Sequence, residues 1–196
     1  MMDKTLACVL LAAGQSKRFK GESKLTAPFH EKPLVEHVFD ALPRALFSQC
    51  IVVTANRAVQ GMAEERGFET VYLQVDTPDI SISIREGLKK VRPDCSGCMF
   101  LVCDQPLLRR ESIQRMAALF CENTERIIAL GYQGTRGNPV MLPKSFFGAL
   151  LTLPFGKGGS YIVGQSNDRL LTVEASCAEE LLDVDTVEDL ERISRI

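Results

Sequence analysis

A short turn near the start of the chain gathers small residues and cations: Leu10-Leu11-Ala12-Ala13-Gly14-Gln15-Ser16-Lys17-Arg18, with Lys24 close behind. Small side chains let the backbone bend sharply and approach a ligand. Amide N–H groups exposed in such a turn hold phosphate oxygens, and Lys17, Arg18 and Lys24 place positive charge beside them. This is chemistry for a nucleoside triphosphate. A carboxylate stands directly after a later apolar run, in Asp104-Gln105-Pro106-Leu107. It either holds Mg2+, which takes one or two carboxylates plus phosphate and water oxygens, or is a turn or capping residue before Pro106. The cationic loop favours the metal. Asp183 and Asp185 alternate in Leu182-Asp183-Val184-Asp185-Thr186, so on an extended segment they point to one side. One or both complete the metal site, or Asp185 or Thr186 caps the last helix.

Three further segments carry polar groups. In Gly134-Thr135-Arg136-Gly137-Asn138-Pro139-Val140, a Gly-punctuated loop before a strand, Arg136 suits an anionic second substrate and Asn138 can hydrogen-bond it. An ordinary connecting loop has the same composition. Phe155-Gly156-Lys157-Gly158-Gly159-Ser160 offers Lys157 as a phosphate contact but lacks the Walker A spacing. Ser81 and Ser83 open a helical pattern, where they either bond a nucleobase or cap the helix. Cys95-Ser96-Gly97-Cys98 has no second ligand pair at convincing spacing, so it reads as a turn and strand. His30 and His37, the only histidines, are too few for a histidine metal centre.

Alternating strands and helices must position these groups. Apolar runs predict strands at 6–11, 50–54, 69–73, 98–103 and 126–130, with shorter ones at 138–142, 170–173 and 180–184. Helical spacing falls at 33–42, 58–66, 79–91, 111–121, 144–151, 160–164 and 187–194, with Gly67 and Pro93 as stops and Thr186 as a cap. This order predicts an α/β fold with a mostly parallel sheet covered on both faces. Ligands of such sheets bind at the carboxyl ends of the strands, near a topological switch point.

The 196 residues, with no repeat or linker, read as one domain over 1–196. A net charge of −2 argues against a general nucleic-acid binder. No apolar run nears the ~20 residues of a membrane span, and the N-terminus lacks a signal-peptide layout, so a cytoplasmic protein without a membrane partner is expected. Seven scattered cysteines do not form a disulfide framework.

Taken in order, these fragments resemble the MobA-like nucleotidyltransferases, and within them the MocA-type molybdenum cofactor cytidylyltransferase branch. Leu11-Ala12-Ala13-Gly14-Gln15-Ser16-Lys17-Arg18-Phe19 with Lys24-Leu25 resembles the nucleotide loop, and Lys32-Pro33-Leu34 the start of the first helix. Ser83-Ile84-Arg85-Glu86-Gly87-Leu88 is similar to the base-site helix and Asp104-Gln105-Pro106-Leu107 to the metal motif. Arg136-Gly137-Asn138-Pro139-Val140 resembles R-G-H-P-V, with Asn138 in place of His. Asp183-Val184-Asp185-Thr186-Val187-Glu188-Asp189-Leu190 resembles D-x-D-T-P-E-D-L.

The resemblance implies a Rossmann-like three-layer α/β/α sandwich of the nucleotide-diphospho-sugar transferase type. It implies Mg2+-dependent transfer of CMP from CTP to the phosphate of molybdopterin, with release of pyrophosphate. Ala13 favours CTP, because the guanylyl branch usually carries L-A-G-G where this chain has Leu11-Ala12-Ala13-Gly14. Arg18 and Lys24 would grip the triphosphate, amides of Ala13 to Ser16 would cradle it, and Asp104 with Asp183 or Asp185 would hold Mg2+. Another small phosphorylated acceptor, such as a sugar phosphate, is an alternative. So is a non-catalytic carrier that hands molybdopterin to a molybdenum hydroxylase, although mere binding does not need Arg18, Lys24 and Asp104 together.

Overall fold

Strand β1 (Leu6–Ala12) is buried along its whole length. Its side chains enter two separate cores in alternation: Leu6, Cys8, Leu10 and Ala12 on one face, Ala7, Val9 and Leu11 on the other. A strand covered on both faces reads as an unbroken apolar run, which is why its sequence shows no alternation of polarity. The computed structural model describes residues 5–14, 19, 23–75 and 79–196.

After β1 come a small hairpin of β2 (Pro28–Phe29) and β3 (Lys32–Pro33), then α1 (Leu34–Ala41), β4 (Gln49–Thr54), α2 (Arg57–Glu65) and β5 (Glu69–Tyr72). The chain continues through α3 (Ile80–Lys90), β6 (Gly97–Val102), α4 (Arg110–Glu122), β7 (Ile127–Tyr132) and β8 (Thr135–Pro143). It ends with α5 (Phe147–Leu151), α6 (Gly159–Gly164), β9 (Leu170–Glu174) and α7 (Val187–Ile193). Seven strands form one sheet in the order β5-β4-β1-β6-β8-β7-β9. Only β8 runs against the others, pairing antiparallel with both β6 and β7. The side chains of α1, α2 and α4 pack on one face of the sheet and those of α3, α5 and α6 on the other. The expected three-layer, mostly parallel sandwich is therefore the observed one.

Local chemistry sets the helix ends. Asn56 accepts hydrogen bonds from the amides of Ala58 and Val59 to start α2, and Gly67 follows its end at φ +73°. Gly87 lets α3 lie close on the sheet, since a Cβ there would stand 2.6 Å from Val9 Cγ1. The start of α3, at Ile80 and Ser83, lies beside the carboxyl ends of β1 and β6.

Two expectations need correction. The run 180–184 is not a strand: a 3-10 turn spans Ala178–Leu181 and an extended stretch follows without sheet pairing. Val184 is buried in the core with Leu181 and Leu182 packed half-buried against it, and Glu180, fully buried, accepts the amides of Ser176 and Arg109. The polar loop before residue 138 is mostly strand, because β8 already begins at Thr135. Between Ala129 and Gly131, two steps on β7 match four on β8, from Val140 to Arg136. Pro139 lies inside this bulge, where its missing N–H costs no ladder bond.

Candidate active site

The chain runs outward from β1 to β4 and β5, then returns across β1 to β6. This makes the carboxyl ends of β1 and β6 the switch point of the sheet. A cleft of about 100 Å³ opens there, bounded by Leu11, Ala13 and Gly14 after β1, Val102 and Asp104 after β6, Lys24, Leu25, and Ile80 and Ser83 of α3. Gly14 is exposed, and a Cβ built on it would meet nothing within 4 Å among the described residues. Gln15, Ser16, Lys17, Arg18 and Lys20 lie outside the described residues.

Lys24, only 4% exposed, is the centre of the polar groups. Its Nζ donates to Asp104 Oδ2 at 2.7 Å and to Asp185 Oδ1 at 2.9 Å. Burial opposes its charge, but Asp104 and then Asp185 outweigh burial and hold its pKa above that of an ordinary lysine. It is thus an ammonium at any physiological pH. Backbone stitching brings the far carboxylates here: Val184 N donates to the Asp104 carbonyl at 2.9 Å, and Gln105 Nε2 to the Leu181 carbonyl at 3.2 Å. Thr186, not Asp185, caps α7, in a reciprocal box with Asp189. That leaves Asp185 for Lys24. Asp104 does not cap α4 either, since Arg109 occupies the cap position.

The carboxylates outnumber the ammonium. Burial, then the charge of Asp104, with Gln105 opposing, pushes the Asp183 pKa up to about 6. Asp104 Oδ1 is buried and accepts no hydrogen bond among the described residues. An orphaned buried carboxylate oxygen and a second carboxyl under repulsion are suited to a hard divalent cation. No three such side chains are arranged to hold an ion unaided among the described residues. Mg2+ and Mn2+ bound with substrate phosphates need only one or two.

A proton effect follows for the metal-free protein. A carboxyl whose folded pKa lies above its unfolded value binds more protons in the folded state, so stability falls as pH rises from about 4 to about 6. Asp183→Asn should remove this fall. With a chelator present, the variant is expected to melt a few degrees higher than wild type at pH 8, and to lose that advantage at pH 4. The effect is modest because solvent screens the exposed side of Asp183. Calorimetry across that range checks it, and parallel pH profiles would refute it.

A second cavity of about 240 Å³ adjoins the first and shares Leu11, Ile80 and Val102 with it. Its other side is formed by Arg136, Gly137 and Asn138 on the β8 bulge and by Gly158, Gly159 and Ser160 at the start of α6. Arg136 and Asn138 therefore share one cavity. Ser81 is fully buried and donates its hydroxyl to Asp79, whereas Ser83 lines the first cleft. Ala12 turns its side chain to the opposite core, and its carbonyl accepts the hydroxyl of Thr54 at 3.0 Å. Lys157 lies over the ring of Tyr161 rather than in either lining.

Sequence reasoning missed Ile80 and Val102, which line both cavities. Their signal was positional: each ends or begins an element at the edge of the sheet where β1 ends. The cysteines of the described residues are unpaired thiols, and Cys95 and Cys98 are both buried, as expected of a turn and strand. No helix among the described residues is long and apolar enough to cross a membrane.

Sheet order, flanking helices and a switch-point cleft define a Rossmann-like α/β protein with its ligand groups at the carboxyl edge. Residues 8–170 match the MobA-like NTP transferase domain, and the chain belongs to that family. It is 31% identical over 132 residues to the molybdenum cofactor guanylyltransferase of Vibrio campbellii, a match spanning 67% of this chain and 64% of that relative. A comparable relative from Aliivibrio salmonicida is 28% identical over 134 residues, covering 68% of this chain and 65% of its own. The crystal structure of Rv0371c from Mycobacterium tuberculosis superposes with a TM-score of 0.84 at 27% identity, covering 98% of this chain and all of that one. A structure described as its complex with manganese gives a TM-score of 0.79 at 25% identity, covering 98% and 99%.

Proposed function

We propose that this protein transfers a nucleotidyl group from CTP to the phosphate of molybdopterin, releasing pyrophosphate. The observation that carries the reading is the convergence of Lys24, Asp104 and Asp185 at the β1–β6 switch point, next to a second cavity lined by Arg136 and Asn138. An acceptor phosphate oxygen attacks the α-phosphorus of CTP in line, forming the new P–O bond as the bond to pyrophosphate breaks. That nucleophile is already ionised at neutral pH, so no general base is needed. Catalysis then rests on positioning and charge.

The amides of Ala13 and Gly14, continuing to Gln15 and Ser16, cradle the triphosphate, while Lys24 and Arg18 neutralise it and the leaving pyrophosphate. Ser83 bonds the base. Arg136 and Asn138 hold the acceptor. Asp104, with Asp183 or Asp185, would hold Mg2+, which supplies Lewis-acid charge neutralisation to the phosphates when bound. The manganese complex of the mycobacterial structure supports a divalent site in this fold.

Ala13 lines the first cleft, and its methyl favours a pyrimidine over a purine. The relatives named as guanylyltransferases favour a second reading, with GTP as donor. Pyrophosphate release from CTP, GTP, ATP and UTP, each with Mg2+ and molybdopterin, separates the two. No release with any of the four nucleotides would favour a carrier for a molybdenum hydroxylase. If CTP is the donor, Ala13→Gly should move the CTP-to-GTP preference in kcat/KM toward GTP by about tenfold or more. An unchanged ratio would remove Ala13 from donor selection.

A further inference from the structure

Asp79 is bonded to both halves of the paired cavities. As the cap of α3, its Oδ1 accepts from Ser81 N at 2.9 Å and from the Ser81 hydroxyl. The same carboxylate accepts from Gly156 N, with Oδ1 at 3.1 Å and Oδ2 at 3.0 Å. Gly156 has φ +77°, where a side chain would be strained, and it leads into Gly158, Gly159 and Ser160 of the second cavity.

The seam continues on either side. Arg85 of α3 donates to the Leu153 carbonyl at 3.4 Å, and a Cβ on Gly158 would stand 3.5 Å from Ile80 Cγ1. Ile80 borders both cavities. A helix cap needs one acceptor oxygen, and the other adds nothing to α3. Burial pushes the Asp79 pKa up, but the hydrogen bonds from Ser81 and Gly156 outweigh it and keep the group charged.

We propose that Asp79 is a positioning residue that fixes the Gly156–Ser160 loop to the donor-side helix, so that the acceptor cavity keeps its place beside the nucleotide cleft. The donor and acceptor labels rest on the function proposed above; the anchoring of the loop does not. Asp79→Ser tests it, because serine caps helices as well as aspartate yet is too short to reach Gly156. Asp79→Ala, which loses cap and anchor together, is the control.

The Ser variant is expected to melt close to wild type, while trypsin cleavage after Lys157 and amide exchange across Gly156–Ser160 both quicken about tenfold. In transfer assays with CTP, Mg2+ and molybdopterin, KM for molybdopterin should rise about tenfold and KM for CTP stay within about twofold. Unchanged cleavage and exchange would overturn the proposal. So would faster cleavage with an unchanged molybdopterin KM, or melting as low as the Ala variant with both KM values raised alike. Failure of wild type to transfer any nucleotide would refute the function proposed above, while cleavage and exchange still decide whether Asp79 anchors the loop.

Discussion

Asp104→Asn is expected to lower metal-dependent nucleotidyl transfer by at least about a thousandfold while the fold survives. The side chain keeps its size, and Lys24 retains Asp185 at 2.9 Å, so the buried ammonium is not left alone. The variant loses the carboxylate whose Oδ1 is buried and orphaned among the described residues. Lewis-acid stabilisation is worth several kcal/mol, and ~4 kcal/mol corresponds to roughly a thousandfold in rate. Turnover with Mg2+ and with Mn2+, beside a melting curve, measures both halves. Wild-type turnover with either metal would remove Asp104 from the metal site, and a collapsed melting curve would make it structural.

Lys24→Met should cost about a hundredfold to a thousandfold in turnover, the usual loss when one preorganised charge-stabilising group is removed. It also makes a prediction that needs no substrate. The ammonium neutralises Asp104 and Asp185, with Asp183 close by. Without it the carboxylates repel, and the metal-free variant should melt several degrees lower. The penalty stays below the ~3–5 kcal/mol of breaking a fully buried pair because Asp185 is largely exposed. Added Mg2+ or Mn2+ should restore more stability to the variant than it adds to wild type. Equal metal-induced shifts in the two proteins would show that Lys24 does not balance the metal ligands.

Much of this arrangement was legible in the sequence because it rests on short-range rules. Unbroken apolar runs marked the doubly covered strands, and Gly67 and Thr186 marked helix ends. Asp104 stood out because it follows such a run. The misread segments were those shaped by distant partners. Thr135 to Pro139 has no apolar alternation, and its first residues are strand only because the end of β7 pairs with them, Tyr132 with Thr135 and Gly131 with Arg136. Val184 is buried in the core shared with α1, α2 and α4, and Leu181 and Leu182 pack half-buried against it; burial without a ladder looks the same in a sequence as burial within one. Ser81 and Ser83 had equal standing until Asp79 claimed the hydroxyl of Ser81.

The reversed direction of β8 has a further consequence. The groups of the first cleft sit at the ends of parallel strands, where β1, β4 and β6 fix one another's register. Arg136 and Asn138 instead sit near the start of β8, just past the tight turn that joins it to β7. Residues added to or removed from that hairpin alter one wall of the second cavity and leave the pairing of β1 with β4 and β6 untouched. The walls of the two cavities can therefore diverge at different rates: one is constrained by the core of the sheet, the other is carried on a replaceable tip.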